Sequence, residues 1–210
     1  MVANDGMTWI KNRDSTNVHE LFDTLRGAGQ ILQPDNDAVE IDGSANHQSS
    51  FNSDGFTVVT ATAVNGSGDN LISWNWMESP LAGFDIVPYS GTGVARTVNH
   101  SLGPVPSVMI VKARDVVTKS WVVYHPEILA APETGYVLLD LPNTPASSST
   151  IWNDTSPTDT QFTVGTSNAM NNSSGNYVAY LFAEIAGFSK FGSYDGNGST
   201  DGPFINCGFT

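Results

Sequence analysis

The stretch Met7-Thr-Trp-Ile-Lys-Asn-Arg-Asp14 returns later in the chain, with changes, as Val108-Met-Ile-Val-Lys-Ala-Arg-Asp115. Two further matches follow in the same order. Phe56-Thr-Val58 returns as Phe162-Thr-Val164, and Ala82-Gly-Phe84 returns as Ala186-Gly-Phe188. The separations differ by only a few residues, as loop insertions would cause. The sequence therefore predicts an internal duplication of roughly a hundred residues.

The second copy begins with an opening segment, Phe84-Asp-Ile-Val-Pro-Tyr-Ser-Gly-Thr-Gly93, and a similar segment starts at Phe188. We therefore predict a first repeat body without opening strands at 1–83, a complete second repeat at 84–187, and the opening strands of a third repeat at 188–210. Two interpretations are open. The chain is a ragged piece of a longer array, or residues 188–210 complete the first body, in the same chain or in a neighbouring subunit. The reason for the second interpretation is that a single unit of a stacked array cannot bury its apolar face without a neighbouring unit.

Short alternating runs bounded by Gly and Asn turns predict β-strands. Leu71-Ile-Ser-Trp-Asn-Trp-Met77 alternates, whereas Tyr177-Val-Ala-Tyr-Leu-Phe-Ala183 is apolar on both faces, which indicates a central strand. Residues 18–25 have some helical character, but we expect a strand or a single turn there. Further strands are predicted at 56–62, 108–112, 121–125 and 136–140. The predicted fold is all-β: two internal repeats forming antiparallel, jelly-roll-like β-sandwich domains with few or no helices.

Composition excludes several classes of protein. The 210 residues carry a formal net charge of −13, which disfavours binding to nucleic acid. No apolar run approaches the ~20 residues that span a bilayer, so we expect no membrane insertion. The single Cys207 leaves no intrachain disulfide framework. We expect this residue to be buried if the last segment packs onto the first body.

No catalytic motif is present, so we assign no catalytic residue and expect a protein that is not an enzyme. There is no Gly-x-Ser-x-Gly, His-Glu-x-x-His or phosphate-binding glycine loop. The histidines have no metal-ligand spacing; they are His19, His47, His100 and His125. Hydrolysis of a polysaccharide stays open, because a sequence does not show the separation of two carboxyl groups.

Two acidic segments are candidate cation sites. Oxygen ligands at alternate positions between glycines suit a structural calcium ion, and these are Asp195, Asn197, Ser199 and Asp201. The alternative is a hydrophilic hairpin turn, which Asp-Gly and Asn-Gly sequences readily form. A weaker candidate, more typical of a solvated loop, consists of Asp35, Asp37, Glu40 and Asp42. We expect no other cofactor.

Three tryptophans are the candidate ligand-binding residues, because exposed indole rings stack on sugars and anchor interfaces. Trp74 and Trp76 share one face of a predicted strand. Trp152 lies in a polar stretch and is the one that we expect nearest the surface. The alternative is packing in the core, which the match between Trp152 and Phe51 favours.

Longer strings point to a known family. The stretches His19-Glu-Leu-Phe-Asp-Thr-Leu-Arg-Gly-Ala28 and Ser149-Thr-Ile-Trp-Asn-Asp-Thr155 resemble a repeat domain of unknown function in tail-fibre and virion structural proteins of marine tailed bacteriophages. So do Ser50-Phe-Asn-Ser-Asp-Gly-Phe-Thr57 and residues 187–203. The resemblance covers about residues 9–209.

This resemblance implies a virion protein on the exterior of the tail or the capsid. The expected function is that of a tail-fibre-like or tail-associated adhesin, which binds a host surface glycan or another virion protein. The resemblance also implies a homo-oligomer, and specifically a trimer, because tail fibres are commonly trimers. The alternatives are a capsid decoration or spacer protein without a receptor role, and a polysaccharide depolymerase.

Overall fold

The computed structural model describes residues 5–209. Strands hold 37% of the residues and helices 7%, which confirms the all-β prediction. The strands in chain order are β1 (Gly6–Asn12), β2 (Glu20–Asp23), β3 (Gly27–Leu32), β4 (Ile41–Asp42), β5 (Gln48–Asn52), β6 (Gly55–Val58), β7 (Leu71–Met77), β8 (Phe84–Ser90), β9 (Arg96–Asn99), β10 (Val108–Ala113), β11 (Val122–Tyr124), β12 (Gly135–Leu138), β13 (Ala146–Ser147), β14 (Gln161–Val164) and β15 (Asn176–Phe182).

The helices are single turns: α1 (Thr62–Asn65), α2 (Ser149–Trp152) and α3 (Asn168–Asn171), with a 3-10 turn at Pro132–Thr134. Among the described residues no helix is long and apolar enough to cross a membrane. The segment at 18–25 contains β2 rather than a helix, which confirms its interpretation as a strand.

Two antiparallel sheets form the body of the protein. The first sheet has the strand order β4-β3-β2-β1-β7, and the second has the order β13-β12-β11-β10-β15-β8. Two separate pairs, β5–β6 and β9–β14, lie outside these sheets. β15 lies between β10 and β8 and is buried along most of its length, which confirms that this doubly apolar run is a central strand.

One apolar cluster joins the two sheets. Its buried members come from both sheets and include Met7, Leu21, Leu32, Phe84, Ile86, Trp121, Val178 and Tyr180. The outer side of the second sheet is buried under the β9–β14 pair, α2 and α3, and the outer side of the first sheet is covered by the β5–β6 hairpin and α1. The arrangement is compatible with a β-sandwich, and each predicted repeat contributes one of its two sheets.

The recurring Lys-x-Arg-Asp motif makes the same backbone connection in both sheets. The Asp14 carboxylate accepts hydrogen bonds from the backbone N and side-chain Nδ2 of Asn70, at 2.6 and 2.8 Å. The Asp115 carboxylate accepts the same two bonds from Asn176, both at 2.7 Å. Each aspartate therefore fixes the end of one strand to the beginning of its neighbour, β1 to β7 and β10 to β15.

The last segment of the described chain does not pack onto the first repeat body, as one of the two interpretations of the sequence required. Residues 188–209 form no strand, and Phe188, Tyr194 and Phe204 have exposed fractions of 63%, 68% and 90%. Cys207 is exposed, so the expected burial of this residue is wrong for the single chain. The reason is that no element of the described chain covers this segment.

Candidate functional site

The best-formed exposed aromatic group lies where β1 and β7 run side by side. Trp9 of β1 is the direct cross-strand partner of Trp74 on β7, and their ring centroids are 6.1 Å apart in an edge-to-face arrangement. Trp74 remains 41% exposed. His19 lies on the other side of Trp9, with ring centroids 5.8 Å apart. We call Trp9, His19 and Trp74 the aromatic surface.

A hydrogen bond orients the partly buried indole of this surface. Trp9 Nε1 donates to Nδ1 of His19 at 2.9 Å, which requires that this ring nitrogen carry no proton. Burial lowers the pKa of His19, an effect that the Asp35 carboxylate opposes and Lys11 reinforces. At neutral pH the imidazole is therefore uncharged and able to accept the bond. The indole of Trp9 is thus held in one orientation beside the exposed Trp74.

Trp76 shares a strand face with Trp74, as the alternation predicts, but it has a different environment. It is half-buried against Phe84 and Phe182, with ring centroids 6.4 and 6.1 Å away. It also lines an almost wholly apolar cavity of about 220 Å³ between the two sheets, together with Trp121 and Phe191. Trp76 is therefore a packing residue at the edge of the inter-sheet cluster.

Trp152 is not near the surface, and the expected exposure of this residue is wrong. Its side chain is 1% exposed, its Nε1 donates to the Gly135 carbonyl oxygen at 3.0 Å, and its ring meets Tyr124 edge-on. The polar stretch around it forms α2, whose apolar side faces the second sheet. Phe51, its sequence counterpart, also packs partly buried against a core cluster. Both positions therefore serve packing.

The segment proposed for calcium forms a local turn. Asn197 Oδ1 accepts from the Ser199 backbone N at 3.0 Å, and Ser199 Oγ accepts from the Asp201 backbone N at 3.1 Å. Asn197 Nδ2 donates to the Asp201 carbonyl oxygen at 3.1 Å, and Asp195 is exposed. Within residues 5–209 no three His, Cys, Asp or Glu side chains cluster as metal ligands. Calcium binding here stays a prediction.

The second acidic segment is not simply a solvated loop, because Glu40 belongs to an ion-pair network. Glu40 Oε1 lies 2.7 Å from Arg114 Nη2, and Glu40 Oε2 lies 3.0 Å from Arg26 Nη1. Asp35 only accepts long bonds from the His19 backbone N, and Asp42 accepts from the Ser44 backbone N. Asp37 contributes its carbonyl oxygen to the ammonium group of Lys112.

This network continues into the buried contact between the sheets. Arg26 Nε donates to Asp23 Oδ2 at 2.5 Å, with both side chains wholly buried. The Tyr180 hydroxyl donates to the same oxygen at 2.6 Å. Burial raises the pKa of Tyr180 well above its usual value, so the hydroxyl keeps the proton that it donates. No local sequence signal could reveal this group, because Asp23 and Tyr180 are far apart in the chain.

One close carboxyl pair bears on the hydrolase alternative. Burial raises the pKa of Glu78 to about 7, and a hydrogen bond with the Asp85 carboxyl group and the charge of Asp5 add to this shift. Asp85 also accepts from the Ser101 backbone N at 2.7 Å. Glycosidases place their two carboxyl groups about 5 Å or more apart, so that substrate or water fits between them. The raised pKa of Glu78 does not by itself establish such a pair, so hydrolysis of a polysaccharide stays a prediction.

The chain belongs to a family defined as a domain of unknown function (DUF7483), whose model matches residues 2–210. No curated protein and no solved structure matches the chain. The family description assigns no activity, ligand or partner, so a function has to be argued from the residues themselves.

Proposed function

We propose that this DUF7483 protein is a non-enzymatic component of a bacteriophage virion. In this proposal it is associated with the tail and uses the aromatic surface to bind a host surface glycan or another virion protein. The assignment to a virion rests on the resemblance of residues 19–28, 50–57, 149–155 and 187–203 to tail-fibre and structural proteins of phages. The binding role rests on the geometry of Trp9, His19 and Trp74.

The exposure of Trp74 beside a fixed Trp9 is the observation that carries the binding role. A sugar ring presents C–H groups that pack on an aromatic face, and an indole combines a large apolar area with a polar edge. The rings of Trp9 and Trp74 stand on paired strands, and the hydrogen bond to His19 restricts Trp9. Little side-chain freedom is then lost when a ligand binds, which favours affinity.

A glycan array of bacterial lipopolysaccharide and capsular oligosaccharides tests this role. The Trp74→Ala variant should bind at least about tenfold more weakly than the unmodified chain to any glycan that the chain recognises, equivalent to about 1.4 kcal/mol. Met77→Ala is the matched control, because Met77 is 51% exposed on the opposite face of the same strand. Equal binding by Trp74→Ala, or no glycan bound by the unmodified chain, would remove the glycan-binding role.

The location of the protein on the particle tests the virion assignment separately. Gold-labelled antibodies against this chain should mark the tail when phage particles are imaged by electron microscopy. Label on the capsid would overturn the tail assignment and support the decoration or spacer alternative. Particles without any label would overturn the virion proposal itself.

A further inference from the structure

The two sheets differ at one edge. The second sheet ends in β8, which pairs with β15 along its whole length, from Phe84 opposite Phe182 to Ser90 opposite Asn176. The counterpart of β15 in the first sheet is β7, since each pairs with the Lys-x-Arg-Asp strand of its own sheet. Among the described residues no strand pairs with the other edge of β7. That edge presents unused backbone donors and acceptors.

A segment that matches the missing strand is present but forms no strand in the single chain. Phe84 and Phe188 each follow a glycine in the left-handed region, Gly83 at φ 66° and Gly187 at φ 76°. Further along, Gly103 and Gly208 also have positive φ, 91° and 76°. The same two backbone turns therefore bound residues 84–103 and residues 188–208. We call residues 188–209 the tail.

In the second repeat, the residues after β8 fill the outer face of the sheet. Leu102, directly before Gly103, is wholly buried and belongs to the same cluster as Met109, Phe162 and Leu181. β9, which lies between β8 and Leu102, pairs with β14 across this cluster. An opening segment of this type thus provides one edge strand and one apolar side chain, that of Leu102, which fills the outer face of the sheet.

In the first repeat, the corresponding place is an open groove. The counterparts of Met109, Phe162 and Leu181 are Thr8, Phe56 and Asn75, and these three residues line a groove of about 480 Å³. Cys207 directly precedes Gly208, as Leu102 precedes Gly103, and it is exposed. Within residues 5–209 no apolar side chain fills this groove as Leu102 fills the outer face of the second sheet, and Cys207 of the tail is left exposed.

We propose that the tail of one copy of this chain pairs with the free edge of β7 in a second copy, as β8 pairs with β15, and places Cys207 in the groove. Backbone hydrogen bonds along an open strand edge would provide affinity, as in other cases of β-strand addition. Because donor and acceptor surfaces differ, the contact is head-to-tail, and it closes into a ring or extends into a filament.

The contacts of the tail favour a second copy over the same chain. Near its beginning the tail is held against the second sheet: the Phe191 backbone N donates to Glu184, and Ser193 donates to Glu127 from both its backbone N and its hydroxyl group. The Phe191 ring also packs on Phe182. These contacts hold the beginning of the tail against the second sheet and away from the β7 edge of its own chain. Phe204 and Cys207 stay exposed and can contact a second copy.

Disulfide trapping tests the inference without knowledge of any ligand. Asn75→Cys, with native Cys207 retained, is oxidised mildly and run on a non-reducing gel. We expect bands at two or more chain masses that reductant removes, because a disulfide forms only between Cα atoms about 4–7 Å apart. Ser44→Cys, an exposed site at the far edge of the first sheet, is the matched control and should give few such bands. The double variant Asn75→Cys, Cys207→Ser should give none.

Each other outcome overturns the inference. A faster-migrating monomer would mean that the tail closes on its own chain, and equal cross-linking of Ser44→Cys would mean random collision. Absence of cross-linking in Asn75→Cys would exclude the contact. In an independent check by light scattering, the mass measured for the unmodified chain should exceed the monomer mass of 22.4 kDa. Tyr194→Pro should return it to a monomer, because proline removes a ladder donor. An unmodified chain that stays monomeric at all concentrations would refute the proposal, whereas glycan binding by the aromatic surface does not depend on it.

Discussion

Replacing Tyr180 with Phe removes one hydroxyl group at the place where the two sheets meet. Tyr180 lies on β15 of the second sheet and is 1% exposed, and its hydroxyl donates at 2.6 Å to Asp23 on β2 of the first sheet. The substitution keeps the ring, which stacks on Trp121 with ring centroids 6.4 Å apart. The change therefore isolates a single hydrogen bond between the sheets.

The size of the effect follows from what Asp23 retains. A hydrogen bond to a charged group contributes about 1.5–3 kcal/mol. Asp23 still accepts from the backbone N of Arg26 at 2.8 Å and from its Nε, so the buried carboxylate keeps a cation and two donors. We therefore expect a loss of about 2 kcal/mol. Tyr89→Phe is the control, because the hydroxyl of partly buried Tyr89 donates to a neutral acceptor, the Met170 carbonyl oxygen at 2.8 Å, and its loss should cost about 1 kcal/mol.

Urea unfolding followed by tryptophan fluorescence measures both variants. The midpoint should fall while the slope of free energy against urea stays constant. The melting temperature of Tyr180→Phe should fall by about 4–8 °C, as expected for a chain of this size. A smaller loss for Tyr180→Phe than for Tyr89→Phe would refute the argument. Two separate transitions, only one of them shifted, would show that the sheets unfold as independent domains.

Two other substitutions have outcomes that the structure specifies. Burial and the neighbouring Asp85 raise the pKa of Glu78 to about 7 in the folded chain, against 4.5 in the unfolded chain. Between these two pH values the folded chain binds more protons than the unfolded chain. The free energy of unfolding therefore decreases as pH rises from about 4.5 to about 7. Glu78→Gln should remove that part of the pH dependence in melting curves taken between pH 5 and 8, and an unchanged profile would contradict the shift. Gly91→Ala should cost about 2 kcal/mol, because the added Cβ would overlap the Asn172 carbonyl oxygen. Gly196→Ala, at the matching tail position with no atom within 4 Å, should leave the melting temperature of the monomer unchanged, and equal losses in the two variants would disprove the packing argument.

The strand pattern could be predicted from the sequence where the signal is local. Alternation identified β7 with the bounds that the structure has, and it placed Trp74 and Trp76 on the same face. The run at 177–183 is apolar on both faces, which predicts a central strand, and in the structure most of β15 is buried. Each of these conclusions depends only on neighbouring residues and on the two-residue period of a strand.

The candidate site residues were harder to predict, because exposure depends on what lies above a strand or a turn. Trp74 and Trp76 lie on the same face of β7, but only Trp74 is exposed. Trp152 stands in a polar stretch and is nonetheless buried, since α2 turns its apolar side to the second sheet. For Glu40 the sequence favours a solvated loop over a cation site, whereas Arg114, distant in sequence, forms an ion pair with it.

The all-β class, the positions of about half of the strands and the recurrence of the Lys-x-Arg-Asp motif follow from the amino-acid sequence alone, because alternation, turn residues and repeated strings are properties of short stretches. Three features appear only once the chain is folded: the two sheets share one apolar cluster, Asp23 and Arg26 meet Tyr180 between the sheets, and the edge of β7 has no partner among residues 5–209. Those features depend on pairing between segments far apart in the chain, which the sequence of either segment does not specify.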